Sequence, residues 1–147
     1  MQTSVRRRPT EHSTEQRRTI CSARLMILVV DDNSPICRGL MHLLQISGME
    51  ATCASNAREA LGILEREKPR VLVLDNQMPE MTGIELLRII RGNAELQSMS
   101  VVMFSGDPDP RIKAEADRLG ASAYYVKGKP NLDEMGKTIR ALDVRAA

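Results

Sequence analysis

The stretch Val71-Leu72-Val73-Leu74-Asp75 decides how this chain is read. Four apolar residues in a row, without polar alternation, are the pattern of a strand covered on both faces, and a carboxylate follows at the strand's carboxyl end. Strands of that kind belong to parallel sheets flanked by helices, so the sequence on either side should alternate short apolar runs with amphipathic stretches. It does. Residues 25–30 and 101–104 are equally unbroken, while 50–54 and 123–126 are more mixed, and 50–54, with Thr52 and Cys53, suits a sheet edge. Between the runs, residues 35–47 place Ile36, Leu40, Leu43 and Leu44 on one helical face, and residues 57–67 do the same with Ala60, Leu61 and Leu64. Three more helices are expected over 83–90, 110–119 and 132–142. Ser34 before Pro35 reads as the cap of the first helix and Asn56 as the cap of the second, with Gly48 and Pro69 marking their exits. The helix over 110–119 has only Ile112 and Leu119 as large apolar residues, so it is expected to be the most loosely held.

Composition agrees with one ordinary globular domain. The chain has 147 residues, 42% hydrophobic and 27% charged, which excludes wholesale disorder and a disulfide scaffold. Phe104, Tyr124 and Tyr125 are its only aromatics, too few for a base-stacking platform. The longest apolar run is six residues, far below the ~20 that span a bilayer, so no membrane insertion is expected. The net charge of +2 is unevenly spread. Residues 1–24 hold six Arg against Glu11 and Glu15 and carry almost no apolar side chain, which reads as a flexible basic arm. Residues 25–147 are weakly acidic, so the domain itself is not expected to bind nucleic acid. Cys21, Cys37 and Cys53 are odd in number and show no metal-ligand spacing, which fits a reducing cytoplasm.

In a parallel α/β sheet, ligands bind beyond the carboxyl ends of the strands. Five chemically active residues stand there: Asp31 and Asp32 after the first apolar run, Asp75 after the third, Ser105 after the fourth and Lys127 after the fifth. At ~4 Å and an effective dielectric of ~20, each pair of carboxylates repels by about 4 kcal/mol, so such a cluster keeps a proton or recruits cations. Lys127 supplies one positive charge, and a hard divalent ion such as Mg²⁺ would supply the rest. Asp75, carried by the most apolar strand, is the candidate nucleophile, since a carboxylate can attack phosphorus to give an acyl phosphate.

Four stretches, ILVVDDN (27–33), VLVLDNQMPEMTGIELL (71–87), VVMFSG (101–106) and GASAYYVK (120–127), stand in order, each at the end of an expected strand. Together they resemble the receiver domain of response regulators, the phospho-acceptor module of two-component signalling. The resemblance implies a single five-stranded parallel sheet, doubly wound in the flavodoxin-like order 2-1-3-4-5, with five helices. It implies that Asp75 accepts a phosphoryl group from a sensor histidine kinase or a histidine phosphotransfer protein. Mg²⁺ or Mn²⁺ would be held by Asp31, Asp32, Asp75 and the backbone carbonyl of Gln77. Lys127 would contact the phosphoryl oxygens, Ser105 and Tyr124 would be the switch pair, and Pro79 and Gly83 would shape the loop after the nucleophile. With room for only one helix after Lys127, the reading is a stand-alone regulator that signals through a downstream protein docking on the face of the fourth helix, fifth strand and fifth helix. It is not an enzyme in the turnover sense, although it assists its own phosphorylation and dephosphorylation, and Gln77 and Asp107 border the expected water path.

The family usually has Pro directly after the lysine; here Gly128 follows, with Lys129 and Pro130 beyond. A second reading is therefore a phosphorylation-independent interaction module in which Gly128 has displaced Lys127. Other enzymes of similar architecture fit poorly. A haloacid-dehalogenase-like phosphatase would need an acid where Gln77 stands, and a flavodoxin would need a phosphate-cradling loop where this chain has acids. His42 reads as a packed or surface residue, and Cys37 as a small buried one, with redox sensitivity as the alternative reading because it lies close to the acid pair.

Overall fold

Strand β3 (Val71–Leu74) lies at the centre of the sheet with every side chain buried, as its unbroken apolar run requires. The computed structural model describes residues 26–107, 109–128 and 132–146; the basic arm of residues 1–24 falls outside them, as do Lys129 and Pro130. In chain order the elements are β1 (Met26–Val30), α1 (Ser34–Ile46), β2 (Glu50–Ala54), α2 (Ala57–Glu67), β3, α3 (Gly83–Gly92), β4 (Ser100–Ser105), α4 (Pro110–Arg118), β5 (Ala123–Val126) and α5 (Leu132–Ala146). All strand pairs are parallel, in the order β2-β1-β3-β4-β5. This is the doubly wound, flavodoxin-like arrangement, and β2 is an edge.

The pleat of the sheet divides the core into two layers. Leu28, Val30, Leu72, Leu74, Val101 and Met103 pack against α2 and α3, where Ala60, Leu64, Leu86, Leu87 and Ile90 are fully covered. Ile27, Val29, Val71, Val73 and Val102 face the other way, onto Cys37, Leu40 and Leu44 of α1 and Met135 and Ile139 of α5. Helix α4 contributes only Ala116 as a buried residue, with Ile112 and Leu119 partly covered.

One cap differs from the sequence reading. Asn33, not Ser34, caps α1: its Oδ1 accepts from the Ile36 amide at 3.3 Å, while its own amide donates to Asp31 Oδ1 at 2.9 Å. Asp31 fixes the turn, so the cap falls one residue earlier and Ser34 and Pro35 become the first helical residues. Asn56 does cap α2, accepting from Glu59 at 2.8 Å. Helices α3 and α5 run two and four residues past their expected ends.

Candidate functional site

The carboxyl ends of β1, β3, β4 and β5 share one rim. The turn after β1 carries Asp31, which is buried, and Asp32, which is exposed. Asp75 leaves β3 with only 3% of its surface open, and its amide donates to the carbonyl of Val30 at 2.9 Å, which locks the two acid-bearing strand ends together. Carboxylate oxygens of Asp31, Asp32 and Asp75 all lie within 4.8 Å of one another. Lys127, directly after β5, spans two of them: its Nζ is 2.5 Å from Asp31 Oδ2 and 3.3 Å from Asp75 Oδ2. The ammonium also stands 5.7 Å from the centre of the Phe104 ring. Lys127 is thus held at the rim although Gly128 follows it. No peptide bond among the described residues is cis, and Gly128 takes φ +86°, a left-handed turn that proline cannot make.

Burial raises the affinity of Asp75 for a proton above that of an ordinary carboxylate, the negative charge of Asp31 raises it further, and Lys127 pulls it partly back. The site is therefore short of positive charge. Three carboxylates with oxygens this close form an all-oxygen donor set of the kind that suits a small hard divalent cation such as Mg²⁺.

The loop after Asp75 is tied down by its neighbour. Asn76 is buried; its carbonyl accepts from Met78 and Gly83, and its side-chain oxygen accepts from Ile84 at 3.0 Å, at the start of α3. Gly83 sits against the strand end so closely that a Cβ would fall 2.3 Å from the carbonyl oxygen of Asp75. Only glycine permits that backbone-to-backbone contact. Thr82 caps the helix by accepting from Glu85, and Glu80 adopts φ +70° in the loop that Pro79 enters. Gln77 is exposed, with its amide donating to Asp75 Oδ1 at 3.3 Å.

Ser105 is fully buried at the end of β4. Its Oγ accepts from the Asp107 amide at 3.2 Å, so at this stage it serves the turn. Tyr124 on β5 points towards the same turn and donates to the Asp107 carbonyl at 2.9 Å. Burial raises the Tyr124 phenol above its usual value, with the neighbouring Ser105 hydroxyl drawing it back. His42 is exposed on α1 and Cys37 is buried beneath the acid turn.

The sequence reading missed Arg91. This side chain, at the end of α3, donates to four carbonyls: Leu119 at 2.7 Å, Gly120 at 3.1 Å, Gln97 at 2.9 Å and Met99 at 2.7 Å. It anchors the C-terminal end of α4 and the approach to β4. Arg88, a turn earlier, pairs with Glu115 of α4 at 2.9 Å. Backbone acceptors leave no mark in a sequence, so only the basic end of α3 could have hinted at this clasp.

Comparison with known proteins places these features in company. The family described as the response regulator receiver domain matches residues 27–140. The chemotaxis protein CheY of Pseudomonas aeruginosa is 36% identical over 104 residues, covering 70% of this chain and 84% of that protein. The regulatory protein AtoC of Escherichia coli is 33% identical over 121 residues, but this chain spans only 26% of its length. Among solved structures, the chemotaxis protein CheY4 of Vibrio cholerae aligns with a TM-score of 0.74 at 29% identity, covering 81% of this chain and 98% of that one.

Proposed function

The chain belongs to the response regulator receiver family, and from that premise we propose that Asp75 takes a phosphoryl group from a phosphohistidine on a sensor kinase or phosphotransfer protein. The observation that carries this reading is the bridge made by Lys127 between two buried carboxylates, Asp31 and Asp75, beside the exposed Asp32. An ammonium held in that place can follow the oxygens of a phosphoryl group as it arrives. A carboxylate oxygen of Asp75 attacks phosphorus, the phosphorus–nitrogen bond breaks, and the imidazole of the donor leaves with the electron pair.

Each neighbour has a separate task. The rigid β3 end and the Gly83 contact hold the Asp75 backbone, so the nucleophile needs little reorganisation to attack in line. Lys127 keeps its contact with Asp31 and moves its remaining donors to the new oxygens. Asp31, Asp32, Asp75 and the Gln77 carbonyl would hold a divalent ion, which would supply the charge neutralisation that the lysine alone cannot. Ser105 then exchanges the Asp107 amide for a phosphoryl oxygen, which loosens the turn that Tyr124 also holds. The face made by α4, β5 and α5 changes its population of conformers, and a downstream protein reads that change.

The experiment is direct. Acetyl phosphate with Mg²⁺ should add one HPO₃ to the intact chain, and the Asp75→Asn variant should remain unmodified. A wild-type mass that stays unchanged, or an Asp75→Asn variant that is still modified, would refute the assignment.

A further inference from the structure

Two thiols lie apart from the phosphoryl chemistry. Cys37 of α1 is 3% exposed, with its Sγ 3.5 Å from the carbonyl of Val29 on β1 and 3.9 Å from that of Ala54 on β2. Cys53 of β2, paired in register with Val29, directs its own Sγ at the carbonyl of Cys37, 3.1 Å away. Both thiols are free, and burial pushes the Cys37 thiol up from its ordinary value, which leaves Cys53 as the one that meets an oxidant first. Because β2 is an edge strand, Cys53 is only half-buried and solvent reaches it; Cys37 is sealed beneath the turn that carries Asp31.

We propose that Cys37 and Cys53 form a reversible intrachain disulfide, a redox modification site that ties α1 to the edge strand. With the Cys53 sulfur 3.1 Å from the Cys37 carbonyl, rotation about the Cα–Cβ bonds is the motion that would bring the two sulfurs to bonding distance. The oxidant is a hydroperoxide. The Cys53 sulfur takes one peroxide oxygen, giving a sulfenic acid and water as the O–O bond breaks. The Cys37 sulfur then attacks the Cys53 sulfur; the S–O bond breaks and the hydroxyl leaves as a second water with the Cys37 proton. Two thiols and one hydrogen peroxide become one disulfide and two waters. A thiol reductant reverses the step by exchange.

The bridge would close a loop between residues 16 apart in sequence, containing the turn from α1 into β2. By loop-closure entropy it should raise the melting midpoint of the full chain by about 10 °C.

Trypsin separates the three cysteines, because Arg24, Arg38 and Arg58 put Cys21, Cys37 and Cys53 in different peptides. The folded chain, treated with hydrogen peroxide and digested without reductant, should yield the peptides bearing Cys37 and Cys53 joined, with the whole chain lighter by two hydrogens. Dithiothreitol should restore both the mass and the original midpoint. Cys53→Ser should abolish the link and Cys21→Ser should leave it intact. The proposal fails if Cys53 is recovered as an unlinked oxyacid, or if it joins Cys21 or a second chain.

Discussion

Replacing Asp75 with asparagine should make the metal-free protein more stable. At an effective dielectric of ~20, an Asp31 charge within 4.8 Å repels the Asp75 carboxylate by at least about 3.5 kcal/mol, and Lys127 at 3.3 Å attracts it by about 5 kcal/mol. Asp32 adds a further repulsion, cut to roughly half by its exposure to solvent. The Coulomb contributions nearly cancel, which leaves the cost of holding a charge at a site only 3% open to water. An amide of the same shape avoids that cost, so a net gain on the order of 1 to 2 kcal/mol, or roughly 3 to 8 °C in Tm, is expected near neutral pH in EDTA. The sign against pH follows from the raised proton affinity of Asp75. The folded protein holds this proton to higher pH than the unfolded chain does, so the penalty is absent below the ordinary carboxylate range and grows as pH rises through the raised value. The advantage of Asp75→Asn should therefore fade in acid, and Mg²⁺ should narrow it by stabilising the wild type more. Thermal melts at two pH values, with and without Mg²⁺, decide the matter. A variant no more stable than wild type in neutral EDTA, or an advantage that persists unchanged in acid, would show that burial and Asp31 do not dominate this site.

Gly83→Ala should cost about 1 to 3 kcal/mol by forcing α3 away from the Asp75 carbonyl, and should slow uptake of phosphate from acetyl phosphate; a normal rate would show that the loop absorbs the methyl group elsewhere. Arg91→Ala strips donors from four carbonyls, for a loss of about 2 to 4 kcal/mol, and should speed amide exchange around Leu119 to Ala121 in particular; unchanged exchange there would show that α4 is anchored by its apolar contacts instead.

Much of the site is legible in the sequence, because apolar runs without alternation mark central strands and the first polar residue after each one falls on the same rim. Asp31, Asp75, Ser105 and Lys127 were all legible in that way. Asn33 was not, since Asn33 and Ser34 are both good caps and only the hydrogen bond from Asn33 to Asp31 decides between them. Arg91 was hidden because its partners are peptide carbonyls up to 29 residues away. The meeting of Cys37 with Cys53 depends on how α1 lies across the β1–β2 pair, a tertiary outcome that no local pattern encodes. Gly83 could be marked as part of the loop, but the reason only glycine fits, a backbone oxygen 2.3 Å from any Cβ, belongs to the folded chain.

The sheet also works as a partition. Leu28, Leu72 and Met103 never meet Ile27, Val73 and Val102, although they alternate along the same strands. Substitutions whose side chains lie in different layers should therefore sum more nearly than pairs inside one layer, where neighbours are shared. An engineer could treat the two layers as separate packing problems that share one sheet.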